Sequence, residues 1–335
     1  MVTIIITEIG SKLQIKKNRF LITHGFSKKP VSEIPIDIVD QIISETSCTI
    51  TGQAMAALST HAIPFVWVGP ENRPLYILPS YQNGLAALRR RQYEALDNNK
   101  GLHIAQQIVL KNIKNRITSL SKWERQYSIG LQAHITQIKS FLKKPPELKS
   151  PLEECRNQLM AFEAKAAKEY WQGFALVAEF HYWPFKGRTK RPAKDGTNSL
   201  LNYGYAILEG QVLAAVTITG LDIYAGFLHA DRSGRTSLLQ DIKEEFRQVL
   251  VDEALVQLMS QIPYDATQFE KEGSDIRIGA EIKKQWVQLL FSRLDLEFGQ
   301  HTLRRHIVLQ GRKLSSYLMG KRKTYTPFSN KVKFP

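Results

Sequence analysis

The chain has 335 residues, of which 43% are apolar and 23% are charged, and its net charge is +15 at pH 7. This length suggests two domains, and the composition is that of a folded globular protein, which excludes a disordered or fibrous chain. The positive excess favours a polyanionic partner such as nucleic acid, although a solvated basic surface would give the same charge.

The two cysteines, Cys48 and Cys155, lie far apart in the sequence and lack the spacing of a zinc site or a disulfide framework. This usage fits a reducing cytoplasm. The N-terminal residues place no basic segment ahead of their apolar run, and the most apolar later stretch, residues 205–220, contains Glu209. The sequence therefore predicts neither an export signal nor a membrane span.

Residues 1–90 are predicted to form a small β-rich domain. Several short segments are rich in β-branched and aromatic residues and are bounded by Gly, Pro, Asn or Ser, which is the pattern of strands. The predicted strands are VTIIIT, KLQIKK, RFLITHG, CTITG, PFVWVG and PLYILP. Between them, the segments PIDIVDQIISE and GQAMAALSTHA are each predicted to form one short helix.

Residues 91–335 are predicted to form a larger, mainly α-helical domain. Apolar residues recur three and four positions apart in runs such as HIAQQIVLKNIKNRITSL and YSIGLQAHITQIKSFLKK. The segment KKPPELK is predicted to be a loop, because paired prolines do not fit inside a helix. The fold class expected from the whole sequence is α+β with two domains.

The next predicted helix has its own start signal, since Ser150, Pro151 and Glu153 have the spacing of a capping box. This start sets the phase of the helix and places Glu163 on its apolar stripe rather than on its polar face. The stripe consists of Leu159, Met160, Ala167 and Tyr170. A carboxylate in that position needs a partner.

One acidic segment interrupts the basic chain. Residues 201–260 hold 8 acidic and 4 basic residues. Such acids repel phosphate unless a divalent cation lies among them, in which case they attract it. The alternative is that Asp241, Glu244 and Glu245 form only the solvated face of an amphipathic helix. The core stripe of that helix would be Leu239, Ile242, Phe246, Val249 and Leu250.

His229, Asp241, Glu244 and the distant Glu163 form a candidate metal site. Asp241 and Glu244 are three residues apart, so a helix projects them from one face. His229 precedes them in a turn-like stretch between two glycines. One imidazole with two or three carboxylates suits Mn²⁺ and accepts Mg²⁺, whereas zinc usually takes more nitrogen or sulfur ligands.

Basic residues surround this candidate site. The loop FKGRTKRPAKDG follows the Glu163 helix, and two arginines follow His229 closely. Flexible cations beside a metal site suit contacts to DNA phosphates, although a solvated loop would have the same composition. The predicted DNA-binding residues are Lys186, Arg188, Lys190, Arg191, Lys194, Arg232 and Arg235.

The C-terminal tail, GKRKTYTPFSNKVKFP, is basic and contains helix-breaking residues. This composition indicates a disordered arm that touches nucleic acid.

Four stretches, in this order, resemble the CRISPR-associated spacer-acquisition integrase family, the endonuclease-like subunit of the adaptation complex. They are EAKAAKEYW, KDGTNSLLNYGYAIL, GFLHADRSGRTSLLQDIKEEFRQVLVD and QGRKLSSYLMGKRKTYTPF, and the resemblance covers nearly the whole chain. By this resemblance the family's metal-ligand glutamate falls on Glu163, its histidine on His229 and its second acid on Glu244, with Asp241 as a further acidic position. The chain departs from the family at Gln248, where proline is common.

The resemblance implies a metal-dependent DNA integrase and endonuclease of the prokaryotic cytoplasm, in which Glu163, His229 and Glu244 are catalytic and Mg²⁺ or Mn²⁺ is the cofactor. It implies a homodimer, with dimerisation through the N-terminal domain, joined by a small ferredoxin-like partner subunit. The 3′-hydroxyl ends of a short duplex would attack the repeat boundary of a CRISPR array. Two other functions stay open: a non-catalytic DNA-binding scaffold, and a metal nuclease that acts on RNA or on branched DNA in repair.

Overall fold

The structure is a computed structural model that describes residues 2–24, 30–44, 46–61, 63–68, 74–77, 86–148 and 151–330. It divides into two compact units, Met1–Leu85 and Ala86–Pro335. The α+β fold class expected from the sequence is confirmed, because the first unit is built on β-sheets and the second mainly on helices. The expected boundary at residue 90 falls inside a helix that begins at Ala86.

Over its described residues, the first unit contains two four-stranded sheets and one α-helix, α1 (Gly52–Thr60). The strands are β1 (Val2–Ile6), β2 (Ser11–Lys16), β3 (Arg19–His24), β4 (Pro30–Pro35), β5 (Val39–Ser44), β6 (Thr49–Ile50), β7 (Phe65–Val68) and β8 (Pro74–Ile77). One sheet has the order β1-β5-β7-β8 and the other has the order β4-β3-β2-β6. The core of this unit includes the fully buried Leu13, Phe20 and Ile42.

The helix predicted for PIDIVDQIISE is wrong. The segment forms a short 3₁₀ turn, Ile36–Ile38, and then strand β5, which pairs in parallel with β1 on one side and with β7 on the other. Residues 41–44 are all buried. A strand buried on both faces shows no alternation of polar and apolar residues, so its sequence is easily taken for a helix.

The second unit is mainly helical. Its helices are α2 (Ala86–Leu96), α3 (Asn99–Tyr127), α4 (Gln132–Leu142), α5 (Leu152–Phe180), α6 (Gly196–Thr219), α7 (Ser237–Lys243), α8 (Glu253–Gln261), α9 (Ala280–Leu294) and α10 (Leu303–Leu318). A 3₁₀ turn, Ala266–Gln268, precedes the first of two short hairpins. The hairpin strands are β9 (Phe269–Glu272), β10 (Asp275–Ile278), β11 (Glu297–Phe298) and β12 (His301–Thr302). Among the described residues, no helix is long and apolar enough to cross a membrane.

Two groups of packed helices carry the residues of the candidate site. Helix α3 packs against α4 and α5, and α6 packs against α7 and α10. Residues 143–148 are not helical, so the loop predicted for KKPPELK is confirmed over these positions. Helix α5 begins at Leu152, and the capping serine predicted at Ser150 lies outside the described residues.

The acidic segment is not a solvated helix face. The five apolar residues predicted for its core stripe are all buried, but Asp241, Glu244 and Glu245 are buried as well. After Glu244 the chain does not continue as a regular α-helix, because Arg247–Asp252 forms a π-helix. Such π segments are rare and frequently lie at functional sites.

The disordered arm predicted for the C-terminal tail is wrong as far as the structure describes it, to residue 330. Tyr325 and Phe328 are buried, and the Phe328 ring stacks on Phe246 with 4.7 Å between centroids. Asn330 is buried and donates from Nδ2 to Glu253 at 2.5 Å. The apolar residues between the basic ones explain this packing, because each fills a place in the helical core.

Candidate metal and DNA site

His229 lies in a tight turn whose backbone is fixed by a buried carboxylate. Asp241, from α7, accepts hydrogen bonds from the backbone N–H groups of Phe227 at 2.5 Å, Leu228 at 3.0 Å and His229 at 3.0 Å. The turn approaches α7 so closely that a Cβ on Gly226 would stand 2.6 Å from the Cβ of Ser237. This approach explains the glycine that opens the motif.

The same carboxylate also orients the imidazole. Asp241 Oδ1 lies 2.7 Å from Nδ1 of His229, whose side chain is only 15% exposed. An acceptor at Nδ1 places the proton there and leaves Nε2 to bind a metal or to exchange a proton. Asp241 therefore supports His229, and both of its oxygens accept hydrogen bonds from the turn.

A second contact fixes the turn from α5. Arg156 donates from Nε to the carbonyl of Phe227 at 3.0 Å and from Nη2 to the carbonyl of Gly226 at 3.4 Å. The turn is thus held by α5 on one side and by α7 on the other.

Glu244 is a buried, ionised carboxylate. It accepts a hydrogen bond from Nδ2 of Asn112 at 2.5 Å and forms an ion pair with Arg247. Burial raises the pKa of Glu244, but the charge of Arg247 and its hydrogen bond lower it by more, so that the pKa falls to about 2. Glu244 lies at the end of α7, one helical turn after Asp241, the partner of His229.

Glu163 has the partner that its position on α5 required. Arg116, from α3, pairs with its carboxylate and also donates from Nη1 to its backbone carbonyl at 3.3 Å. Glu163 lies at the edge of the buried face, with 23% of its side chain exposed. Met160, which was predicted to belong to the buried stripe, is exposed instead.

Arg116 and Arg247 pack against a buried hydrogen-bonded network of two tyrosines and one aspartate. Tyr170 donates to Asp252 at 2.7 Å and Tyr205 donates to the other oxygen of Asp252 at 2.5 Å. The guanidinium of Arg116 lies 5.8 Å from the ring centre of Tyr170, and that of Arg247 lies 4.5 Å from the ring centre of Tyr205. Burial raises the pKa of Asp252 to about 6.

The donor set fits a divalent cation of the Mg²⁺ or Mn²⁺ type. An available imidazole Nε2 and ionised carboxylate oxygens are ligands that these ions accept. The arrangement is that of a charge-balanced pocket, because Glu163 and Glu244 both face arginines. Within the described ranges, no group of three or more His, Cys, Asp or Glu side chains is already gathered around one point as metal ligands.

Most of the predicted DNA-binding cations are exposed. These are Lys186, Lys190, Arg191, Lys194 and Arg232, while Arg235 is half-buried. Partial desolvation lowers the pKa of Lys190, Arg247 lowers it further and Glu244 raises it. Exposed cations are accessible to DNA, and their binding to phosphate stays a prediction.

Arg188 differs from the other cations of the loop. It donates to Asn198 Oδ1 at 3.0 Å and to Asn202 Oδ1 at 2.6 Å, and its guanidinium lies 5.3 Å from the ring centre of Tyr205. Asn198 also donates to the carbonyl of Gly187 at 2.9 Å. Arg188 therefore fastens the loop to α6 through its two Nη groups. Its predicted contact with phosphate stays a prediction.

Four further residues of the site were not predicted from the sequence: Arg116, Arg247, Asn112 and Asp252. Arg247 could have been found, since it follows Glu244 by three residues, a spacing that would bring the two side chains together on the predicted helix. Arg116 carries no such local signal, because its pairing with Glu163 depends on the packing of α3 against α5.

A family model described as CRISPR associated protein Cas1 matches residues 4–291 of the chain. The chain belongs to this family. The resemblance stated from four sequence stretches is thereby confirmed, and with it the assignment to CRISPR adaptation. A curated relative, "CRISPR-associated endonuclease Cas1 1" of Archaeoglobus fulgidus, is 29% identical over 88% of this chain and 90% of its own length.

Two solved structures share the fold of this Cas1 chain. A casposase bound to an integration product has a TM-score of 0.81 and 22% identity, and the match covers 99% of this chain and 95% of that one. A chain of a Cas6-RT-Cas1–Cas2 complex has a TM-score of 0.80 and 23% identity over 99% of this chain and 36% of that one. At these identities the likeness establishes the fold, which extends over both units.

Proposed function

We propose that this Cas1 chain is a metal-dependent DNA integrase and endonuclease that inserts short duplexes into a CRISPR array. The observation that carries the proposal is the imidazole of His229, which the buried Asp241 orients, with the ionised Glu244 one helical turn after Asp241. The proposal is also supported by the printed name of the curated relative, an endonuclease, and by that of the structural neighbour, a casposase with an integration product.

Glu163, His229 and Glu244 are the residues that would hold Mg²⁺ or Mn²⁺, with Asp241 behind His229 rather than on the ion. When bound, the ion would supply Lewis-acid stabilisation of the charge that develops on a phosphodiester. A carboxylate behind a ligating histidine is a common arrangement, because it fixes the tautomer and raises the basicity of the free nitrogen.

The reaction exchanges one phosphodiester bond for another. The 3′-oxygen of the incoming duplex forms a bond to phosphorus, and the bond from that phosphorus to the target strand's 3′-oxygen breaks. The attacking hydroxyl loses a proton and the departing oxygen gains one. Nε2 of His229 either holds the ion or carries this proton, and a neutral imidazole suits both roles. With water as the attacking group, the same site would hydrolyse DNA.

The exposed cations Lys186, Lys190, Arg191, Lys194 and Arg232 would bind the sugar-phosphate backbone of the duplex. Such contacts position DNA without reading its sequence. The homodimer and the small ferredoxin-like subunit are part of the proposal. The partner subunit is supported by the similar chain that is named as part of a complex with Cas2. Function in the prokaryotic cytoplasm is part of it as well.

The test is strand transfer of a fluorescent duplex into a supercoiled plasmid carrying the array, with Mn²⁺ or Mg²⁺ and the partner subunit. Glu163→Gln and His229→Ala should each abolish transfer. Glu169→Gln is a matched control for the first, because Glu169 lies on the same helix, is similarly exposed and pairs with His134 at 2.9 Å. His134→Ala is the control for the second.

Full transfer by either site variant would remove the basis of the site assignment. Binding of DNA without any EDTA-sensitive turnover would favour the scaffold function. Preference for RNA or branched DNA over the array plasmid would favour the repair nuclease.

A further inference from the structure

The two carboxylates that a divalent ion would bind are each paired with an arginine. Glu163 pairs with Arg116, and Glu244 pairs with Arg247. A guanidinium stays protonated at every pH at which the protein is folded, so the two arginines keep their positive charge. Any ion that takes the two carboxylates therefore leaves two buried or half-buried arginines that need another anion.

We propose that Arg116 and Arg247 are phosphate-binding catalytic residues that alternate between two partners. Without the ion they neutralise Glu163 and Glu244, and once the ion holds those carboxylates they bind the non-bridging oxygens of the target phosphate. The inference deepens the proposed function and rests on it, because it assumes an ion at Glu163, His229 and Glu244.

Each guanidinium has an anchor that does not depend on the carboxylates. Arg116 lies over Tyr170 and Arg247 lies over Tyr205, at 5.8 Å and 4.5 Å from the ring centres. Both rings are fixed by hydroxyl groups that donate to the fully buried Asp252. Cation–π contacts would hold the two charges in place while their ionic partners change.

Each guanidinium also has an unused donor. Nε of Arg116 and Nε of Arg247 are buried and have no hydrogen-bond partner among the described residues. Buried donors are rarely left unpaired, so such groups call for an explanation in function or in a bound species. Arginine presents its N–H groups in a fork that can bond two phosphate oxygens at once. A carboxylate that bonds only an Nη group leaves the Nε donor of this fork free.

Charge balance then links the ion to DNA. Two carboxylates and two guanidiniums are neutral together, so a dication added to this pocket leaves a positive excess that phosphate relieves. The ion should tighten DNA binding, and DNA should tighten binding of the ion by the same factor, because linkage is reciprocal.

The decisive variants remove one arginine without changing the ligands. In the absence of DNA, Arg116→Gln and Arg247→Gln should each bind Mn²⁺ more tightly than the wild type, by about fivefold, because a competing cation is gone. The measurement is the electron paramagnetic resonance signal of free Mn²⁺ during titration with protein. Two independent variants are used because Arg116 is deeply buried, whereas Arg247 is half-buried and less critical for folding.

Arg304→Gln is the matched control, since Arg304 also pairs with a carboxylate, Asp295 at 3.0 Å, and lies over an aromatic ring, Phe291 at 5.7 Å. Its Mn²⁺ affinity should equal that of the wild type. If the arginines only position the carboxylates, the two site variants bind Mn²⁺ more weakly than the wild type or equally well, and the inference is overturned.

A second readout follows fluorescence anisotropy of a labelled duplex in Mn²⁺ and in EDTA. The gain in DNA affinity with Mn²⁺ should be large for the wild type and for Arg304→Gln, and smaller for both site variants. An equal gain in all four proteins would contradict the alternation of partners.

Glu163→Gln separates the two levels of the proposal. If Glu163→Gln binds Mn²⁺ as the wild type does, the site itself is wrong and the inference falls with it. If Glu163→Gln loses Mn²⁺ but the arginine variants show no tighter binding, the site stands and the inference alone is wrong.

Discussion

Asp241 is the residue through which the turn and the imidazole are fixed together. Its carboxylate accepts three backbone N–H groups and Nδ1 of His229. A carboxylate can satisfy four donors because both of its oxygens are acceptors. An amide of the same shape cannot, since its NH₂ group would face N–H donors of the turn.

We therefore expect Asp241→Asn to lower strand transfer by about 10- to 100-fold, the usual loss when the partner behind a ligating histidine is changed. Asp222→Asn is the control, because Asp222 also accepts a backbone N–H, that of Tyr224 at 2.9 Å, and a hydroxyl, that of Tyr93 at 3.1 Å. Wild-type transfer by Asp241→Asn, measured on the same array plasmid, would show that His229 needs no such support.

The sequence predicted Glu163, His229 and Glu244 as site residues, but it did not predict the side chains that pair with them. Helical phase alone placed Glu163 away from the polar face, and that carboxylate does have a buried partner. The support that Asp241 gives to the turn was not predicted, because the amides that donate to it lie twelve to fourteen residues upstream in a turn whose path no local pattern defines. Pairing across helices is a property of packing and is not encoded in spacing.

The element that carries Glu244 is fixed from the opposite side by the C-terminal segment. Glu245 accepts hydrogen bonds from the hydroxyl of Tyr325 at 2.5 Å and from the backbone N–H of Phe328 at 2.7 Å. Asn115, one turn along α3 from the Asn112 that contacts Glu244, accepts from the N–H of Asn330 at 3.1 Å. Residues 325–330 thus close the polar interior beneath the candidate site.

Tyr325→Phe should lower the free energy of unfolding by about 1–3 kcal/mol, because it leaves a buried carboxyl without one of its donors. Tyr317→Phe, in the preceding helix, is the control, since its hydroxyl takes no part in this network. Urea denaturation followed by circular dichroism measures both, and equal midpoints for Tyr325→Phe and the wild type would contradict a structural role for the segment.

Most elements could be predicted from periodicity, and the errors have physical causes. Helices α3 and α4 and strands β1, β2 and β3 follow their patterns because each has one buried and one exposed face. Strand β5 does not, because both of its faces are buried. The C-terminal tail was predicted to be disordered because its many cations dominate its composition. The few apolar residues that anchor it are too sparse to form a periodic pattern.

For the whole molecule, the excess of positive charge has a defined consequence for DNA binding. Lys190 and Arg191 are exposed and adjacent in the loop that precedes α6. Cations that bind phosphate release counterions from DNA, and this makes affinity depend steeply on salt.

Replacing Lys190 and Arg191 together by glutamine should weaken duplex binding equally for all sequences and reduce the salt slope by about one to two. Replacing Lys143 and Lys144, another adjacent exposed pair, removes the same charge and should leave the slope unchanged. Anisotropy titrations at several salt concentrations measure this, and a loss confined to particular sequences would contradict a phosphate role.

The central claim is that the acids of this site, which would otherwise repel DNA, bind a divalent ion that strand transfer requires. Its most direct measurement is anomalous X-ray scattering from crystals soaked in Mn²⁺. The account predicts one strong peak within coordination distance of the Glu163 and Glu244 carboxylates and Nε2 of His229. An empty pocket, in a protein that still joins strands with Mn²⁺, would contradict it.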